Sequence, residues 1–70
     1  MDRKKRYKRL KLKIAEVYDT QGDFAKDMGL DRSSISGRLN GKVEWKTADI
    51  VKACELLGIP LEEAYLYFFV

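Results

Sequence analysis

Between Thr20 and Lys42 the apolar positions recur at helical spacing, in two short bursts divided by a glycine. In the first burst Phe24, Ala25 and Met28 share one face. Thr20 precedes it as a good N-cap, and Asp23, three residues on, completes a weak capping box. Gly29 stops it, because a C′ position with positive φ costs glycine nothing, and Leu30 is placed to anchor the turn. In the second burst Ile35 and Leu39 share a face, Asp31 stands as the cap, and Asn40-Gly41 ends it. The spacing predicts helices over 21–28 and 32–39 joined by a tight turn, a helix-turn-helix.

Upstream, Tyr7, Leu10, Ile14, Val17 and Tyr18 predict a helix over 7–18, with Leu12 off the stripe. Downstream, Thr47 is a plausible cap for a helix whose broad apolar face is Ile50, Val51, Ala53, Cys54 and Leu57, stopped by Gly58. Pro60 fits the first position of a fifth helix over 60–67, with Glu62 and Glu63 favourably placed in its first turn. No stretch alternates with period two for long enough to make a strand, although YLYFFV has β propensity. The chain reads as all-α, a single five-helix domain over 1–70 in which 1–6 form a basic arm.

Composition then narrows the chemistry. Seventy residues at 46% apolar content build one small core and leave no room for an enclosed active site. The lone Cys54 and the absence of histidine exclude an intramolecular disulfide and a multi-cysteine zinc site. No cofactor, metal or small-molecule ligand is therefore expected. Cys54 itself falls on an apolar face with no basic neighbour and reads as an inert thiol. Glu62-Glu63 is no catalytic pair, since adjacent helical residues point in different directions. No histidine base, nucleophile constellation or Gly-rich phosphate loop is present, so no enzyme is expected. The basic N-terminus is not followed by an apolar signal-peptide core, and no apolar run reaches membrane-spanning length. A cytoplasmic protein with no membrane partner is expected.

The net charge of +3 is modest, but it is unevenly spread. Residues 1–13 hold eight basic side chains against Asp2, whereas residues 14–31 hold Lys26 against five acids. Residues 32–46 turn positive again, with Arg32, Arg38, Lys42 and Lys46 against Glu44, and residues 47–70 turn negative. Cations thus gather on the N-terminal arm and on the second helix of the motif with its following loop, where a polyanion would meet them. The arm itself is either a solvated tail or a phosphate-contacting segment.

TQGDFAKDMGLDRSSISGRLNGK, with ACELLGIP further on, resembles the lambda-repressor-like family, the Xre/Cro group of phage and bacterial regulators. LNGKVEWKTADIVKACELLGIPLEEAYLYFF is similar to the short phage-encoded Cro-like proteins, and the resemblance spans about residues 8–69. It implies a five-helix domain that binds double-stranded operator DNA as a two-fold homodimer and acts as a transcriptional repressor. It places Gln21 on a backbone phosphate. It places Arg32, Ser33, Ser36 and Gly37 opposite base edges, with Arg32 the strongest reader because guanidinium pairs bidentately with guanine. Arg32 as a phosphate clamp or an ion pair with Asp31 or Asp27 is the alternative. Gly37 is either a point of close approach to DNA or a tolerated residue at a silent position. Ser34 reads as a phosphate or Asn40 contact, and Asn40, Gly41, Lys42 and Lys46 as a row along phosphates.

One departure stands out. The family commonly has an aliphatic residue where this chain has Arg38, and here the aliphatic is Leu39, which is expected to leave Arg38 more exposed and among the DNA-binding residues. Trp45 is expected to cover the fourth helix rather than stack on DNA. In the last helix, Leu61, Ala64, Tyr65 and Phe68 form a stripe for the domain's own core. Leu66, Tyr67, Phe69 and Val70 are then left for a dimer interface, the rival account being that the tail folds back across the first helix and is satisfied within the monomer. A protein-interaction module or antitoxin-like masking protein is the alternative function, and the charge map favours DNA.

Overall fold

In the computed structural model, which describes residues 7–68, helices form in the predicted order. They are α1 (Lys8–Val17), α2 (Gln21–Met28), α3 (Arg32–Leu39), α4 (Thr47–Leu57) and α5 (Tyr65–Phe68), the last preceded by a 3-10 turn at Leu61–Glu63. There is no strand among the described residues.

The bounds of α2 follow from its caps. Thr20 Oγ1 accepts the Asp23 N–H at 3.1 Å, and Gly29 leaves the helix at φ 74. The Leu30 N–H then bonds back to Ala25 O at 2.9 Å, closing the end with the pattern that an αL glycine permits. Gly58 ends α4 in the same way, with φ 70 and the Ile59 N–H on Cys54 O at 2.9 Å. Asp31 does stand at the N-cap of α3, but its side chain makes no capping bond. The cap of α4 is Lys46 rather than Thr47. Asp49 Oδ2 reaches back to the Lys46 N–H at 3.4 Å, so the helix is closed from its third residue and Thr47 is already helical.

Thirteen residues fill the core, among them Leu10 and Ile14 of α1, Phe24 and Met28 of α2, Ile35 and Leu39 of α3, and Cys54 and Leu57 of α4. No polar or charged residue is buried with them among the described residues. The α1 stripe is narrower than its spacing suggests. Val17 is exposed and Tyr18 sits at the core's edge, its ring 5.4 Å from that of Phe24. Leu12 is exposed.

The C-terminal segment departs most from expectation. A continuous helix over 60–67 is replaced by a 3-10 turn, whose bonds run from Glu63 N–H to Pro60 O and from Ala64 N–H to Leu61 O, followed by one α turn. Rotation per residue changes from about 120° to about 100° at Ala64, so no single stripe runs through the join. Ala64 and Phe68 stay inside, while Leu61 and Tyr65 are each 61% exposed. Leu66 and Tyr67, expected to be left over for an interface, are half-buried, and Tyr67 packs on the core. Phe69 and Val70, like the arm over 1–6, lie outside the described residues. Trp45 packs against the core, and it also meets Phe68 edge-on at 4.9 Å and Tyr7 at 6.4 Å, tying the loop to α5 and to the start of α1.

Because Phe24 is fully buried and holds α2 to its neighbours, Phe24→Ala should cost about 3–5 kcal/mol, most of the stability of a domain this small. Leu12→Ala should stay within about 0.5 kcal/mol. Urea unfolding of the two variants, followed by circular dichroism, checks the contrast.

Candidate functional site

The start of α2 leaves backbone donors open. Thr20 takes the N–H groups of Asp23 and Phe24, whereas those of Gln21 and Gly22 have no acceptor among the described residues. Gly22 has no side chain, and Arg32 crosses the vacant space. Its Nε is 3.5 Å, and its Cζ 4.0 Å, from where a Cβ would stand. The first side chain of α3 is thereby brought onto the first turn of α2, the turn that Gln21, itself exposed, begins. Arg32 thus runs back across this turn. Two N–H donors, the positive end of a helix dipole, an amide and a guanidinium can together hold one anion.

Further along α3, Ser33 is exposed, and Ser36 Oγ accepts from Asn40 Nδ2 at 3.3 Å. Asn40, Gly41, Lys42 and Lys46 are exposed along the loop that follows. Arg38 is not. Its side chain is 11% exposed, with Nε on Asp49 Oδ2 at 3.3 Å and Nη1 on Ser34 O at 3.2 Å. The expectation of an exposed Arg38 is corrected: Asp49, in the first turn of α4, draws the guanidinium against the domain. The same carboxylate oxygen holds the Lys46 N–H, so one acid ties α3, the loop and α4 together. Ser34 contributes its carbonyl to that arrangement and is half-buried.

The remaining titratable groups mark no chemistry. Burial pushes the Cys54 thiol above its ordinary pKa, which keeps it protonated and unreactive. The Tyr18 phenol is also raised, by desolvation first and then by the hydrogen bond it donates to Asp27 Oδ2 at 2.7 Å. No group of three or more His, Cys, Asp or Glu among the described residues is placed to share a metal ion. No described helix is long and apolar enough to cross a membrane.

Residues 5–70 match the family described as a protein of unknown function, DUF739. The chain belongs to that family. No curated protein matches it.

Gly37 of this DUF739 domain has a neighbour within its own chain. It points away from the buried Ile35 and Leu39, yet it is not open, because Val43 lies over it. A Cβ at position 37 would stand 3.1 Å from Val43 Cγ2, tighter than ordinary contact. The Gly37 carbonyl accepts the N–H groups of Lys42 at 2.9 Å and Val43 at 3.2 Å. Glycine is there to admit the returning loop. Val43, Asp49 and the space at Gly22 were not singled out from the sequence. The available signal was a glycine in mid-helix, which costs about 1 kcal/mol against alanine and so needs a reason.

The contact makes a coupled prediction. In a Val43→Ala background, Gly37→Ala should recover close to the full helix-propensity gain of about 1 kcal/mol. With Val43 present the gain should shrink or change sign. Equal effects in both backgrounds, read from urea unfolding of the four proteins, would show that Val43 does not bear on position 37.

Proposed function

We propose that this domain is a lambda-repressor-like, sequence-specific regulator that binds double-stranded DNA, in the manner of a short Cro-like phage or prophage repressor. The observation that carries the reading is the convergence of open N–H groups, Gln21 and Arg32 at the first turn of α2. That is a phosphate site in chemistry and in charge. It stands at one end of a pair of packed helices, with Lys42 and Lys46 at the other. Phosphates gripped at both ends fix the register of α3 in the major groove, and α3 then offers Ser33 and Ser36 to base edges. Repression is steric: protein on the operator excludes polymerase or a competing regulator.

In this reading Arg32 and Gln21 share a phosphate. Arg32→Ala and Gln21→Ala should each lower affinity for specific and non-specific duplex by a similar factor, and Arg32→Ala should flatten the slope of log K against log salt by about 0.9. Fluorescence anisotropy over a salt series measures both. A loss confined to one base-pair position would make Arg32 a base reader instead. If the full chain enriches no sequence from a random duplex pool, the regulator reading fails and a protein-interaction module takes its place.

Two-fold operators imply two copies of the domain. Among the described residues the exposed large apolar side chains nearest the C-terminus are Leu61 and Tyr65, and they offer a surface suited to an isologous contact. Such a dimer would set its α3 helices about 34–36 Å apart, one turn of DNA. Leu61→Asp with Tyr65→Asp should leave the fold intact, since both residues are already exposed, and should abolish binding of two copies per operator. Sedimentation velocity with and without DNA reads the outcome, and an unchanged stoichiometry would remove these residues from the contact.

A further inference from the structure

The face of α3 opposite its buried side chains is unusual in having no side chain of its own at Gly37 and an aliphatic one borrowed from the loop. Val43 is 42% exposed, and its Cγ2 occupies the ground directly above Gly37. Its backbone is pinned there, because the N–H groups of Lys42 and Val43 both bond to the Gly37 carbonyl. The loop is held a second time where Asp49 Oδ2 takes the Lys46 N–H. The backbone that carries this isopropyl group is therefore held on the outward side of α3, over Gly37. It contributes little to the core from there. Exposed aliphatic groups are common singly, but a rigidly mounted one on a polar recognition surface can do something its neighbours cannot.

In the major groove the one apolar feature of the base edges is the C5-methyl group of thymine. We infer that Val43 reads a thymine methyl, standing in for the side chain that Gly37 lacks. The inference rests on the DNA-binding reading above and deepens it, since it assigns base discrimination to a residue outside α3. Serine hydroxyls serve almost any base and discriminate weakly. A methyl-to-isopropyl contact adds a preference for thymine that hydroxyls alone do not provide. The contact exchanges no proton and needs no movement of the loop. It also gives position 37 a reason to stay bare, since a Cβ there would require Val43 to shift by a few tenths of an ångström.

The test uses the full chain and sites enriched from a random duplex pool. Each thymine of the enriched site is replaced in turn by deoxyuracil, which removes only the methyl group. Wild type should lose about fourfold in affinity at one thymine per half-site, the factor that burial of one methyl group supplies. Val43→Ala should bind the intact site a few-fold more weakly and be indifferent to deoxyuracil at that thymine. Because Val43 is half-exposed, the variant should fold, and the deoxyuracil scan of wild type needs no variant at all. Enrichment of a site with no methyl-sensitive thymine overturns the inference alone, as does a Val43→Ala protein that keeps the full deoxyuracil penalty. Failure to enrich any site overturns the DNA-binding reading along with it.

Discussion

Helices of eight residues have almost no stability of their own in water, and both α2 and α3 are of that length. Their existence depends on burying Phe24 and Ile35, both fully enclosed, against Leu10 of α1 and Cys54 of α4. Everything at the surface of the α2–α3 pair inherits its position from that burial. Arg32 can cross Gly22 only because the two helices are locked in register from beneath. In a chain of this size there is no second core to compensate if the first is loosened.

Local chemistry made α2 and α3 legible in the sequence. Each is bounded on both sides by residues whose preferences are set within a few positions, Thr20 and Gly29 for one, Asp31 and Asn40 for the other. Their observed limits match the spacing of apolar residues residue for residue. The C-terminal segment was less legible for a physical reason. Pro60 and the two glutamates suit the start of an α-helix and a 3-10 turn equally well, and the choice between them is made by packing around Ala64 and Phe68. That choice moved Leu61 and Tyr65 outward and drew Tyr67 in.

The candidate site divides along the same line. Gln21, Ser33, Asn40, Lys42 and Lys46 are exposed where their places on the helices and loop suggested. Arg38 was misjudged because its partner Asp49 lies eleven residues away on another helix, and no periodicity in α3 could announce it. The position of Arg32 over Gly22 was hidden for the same reason, since it is a tertiary fact. Gly37 was visible as an anomaly, and only the return of the loop showed what the missing side chain makes room for.

The indole of Trp45 is the chain's only one, and it sits against Phe68 on one side and Tyr7 on the other with its Nε1 shielded from solvent and without a hydrogen-bond partner. Its emission therefore depends on how Tyr7 and Phe68 close over the loop. The domain has a built-in optical reporter, and it watches the seam between the start of α1, the loop and α5.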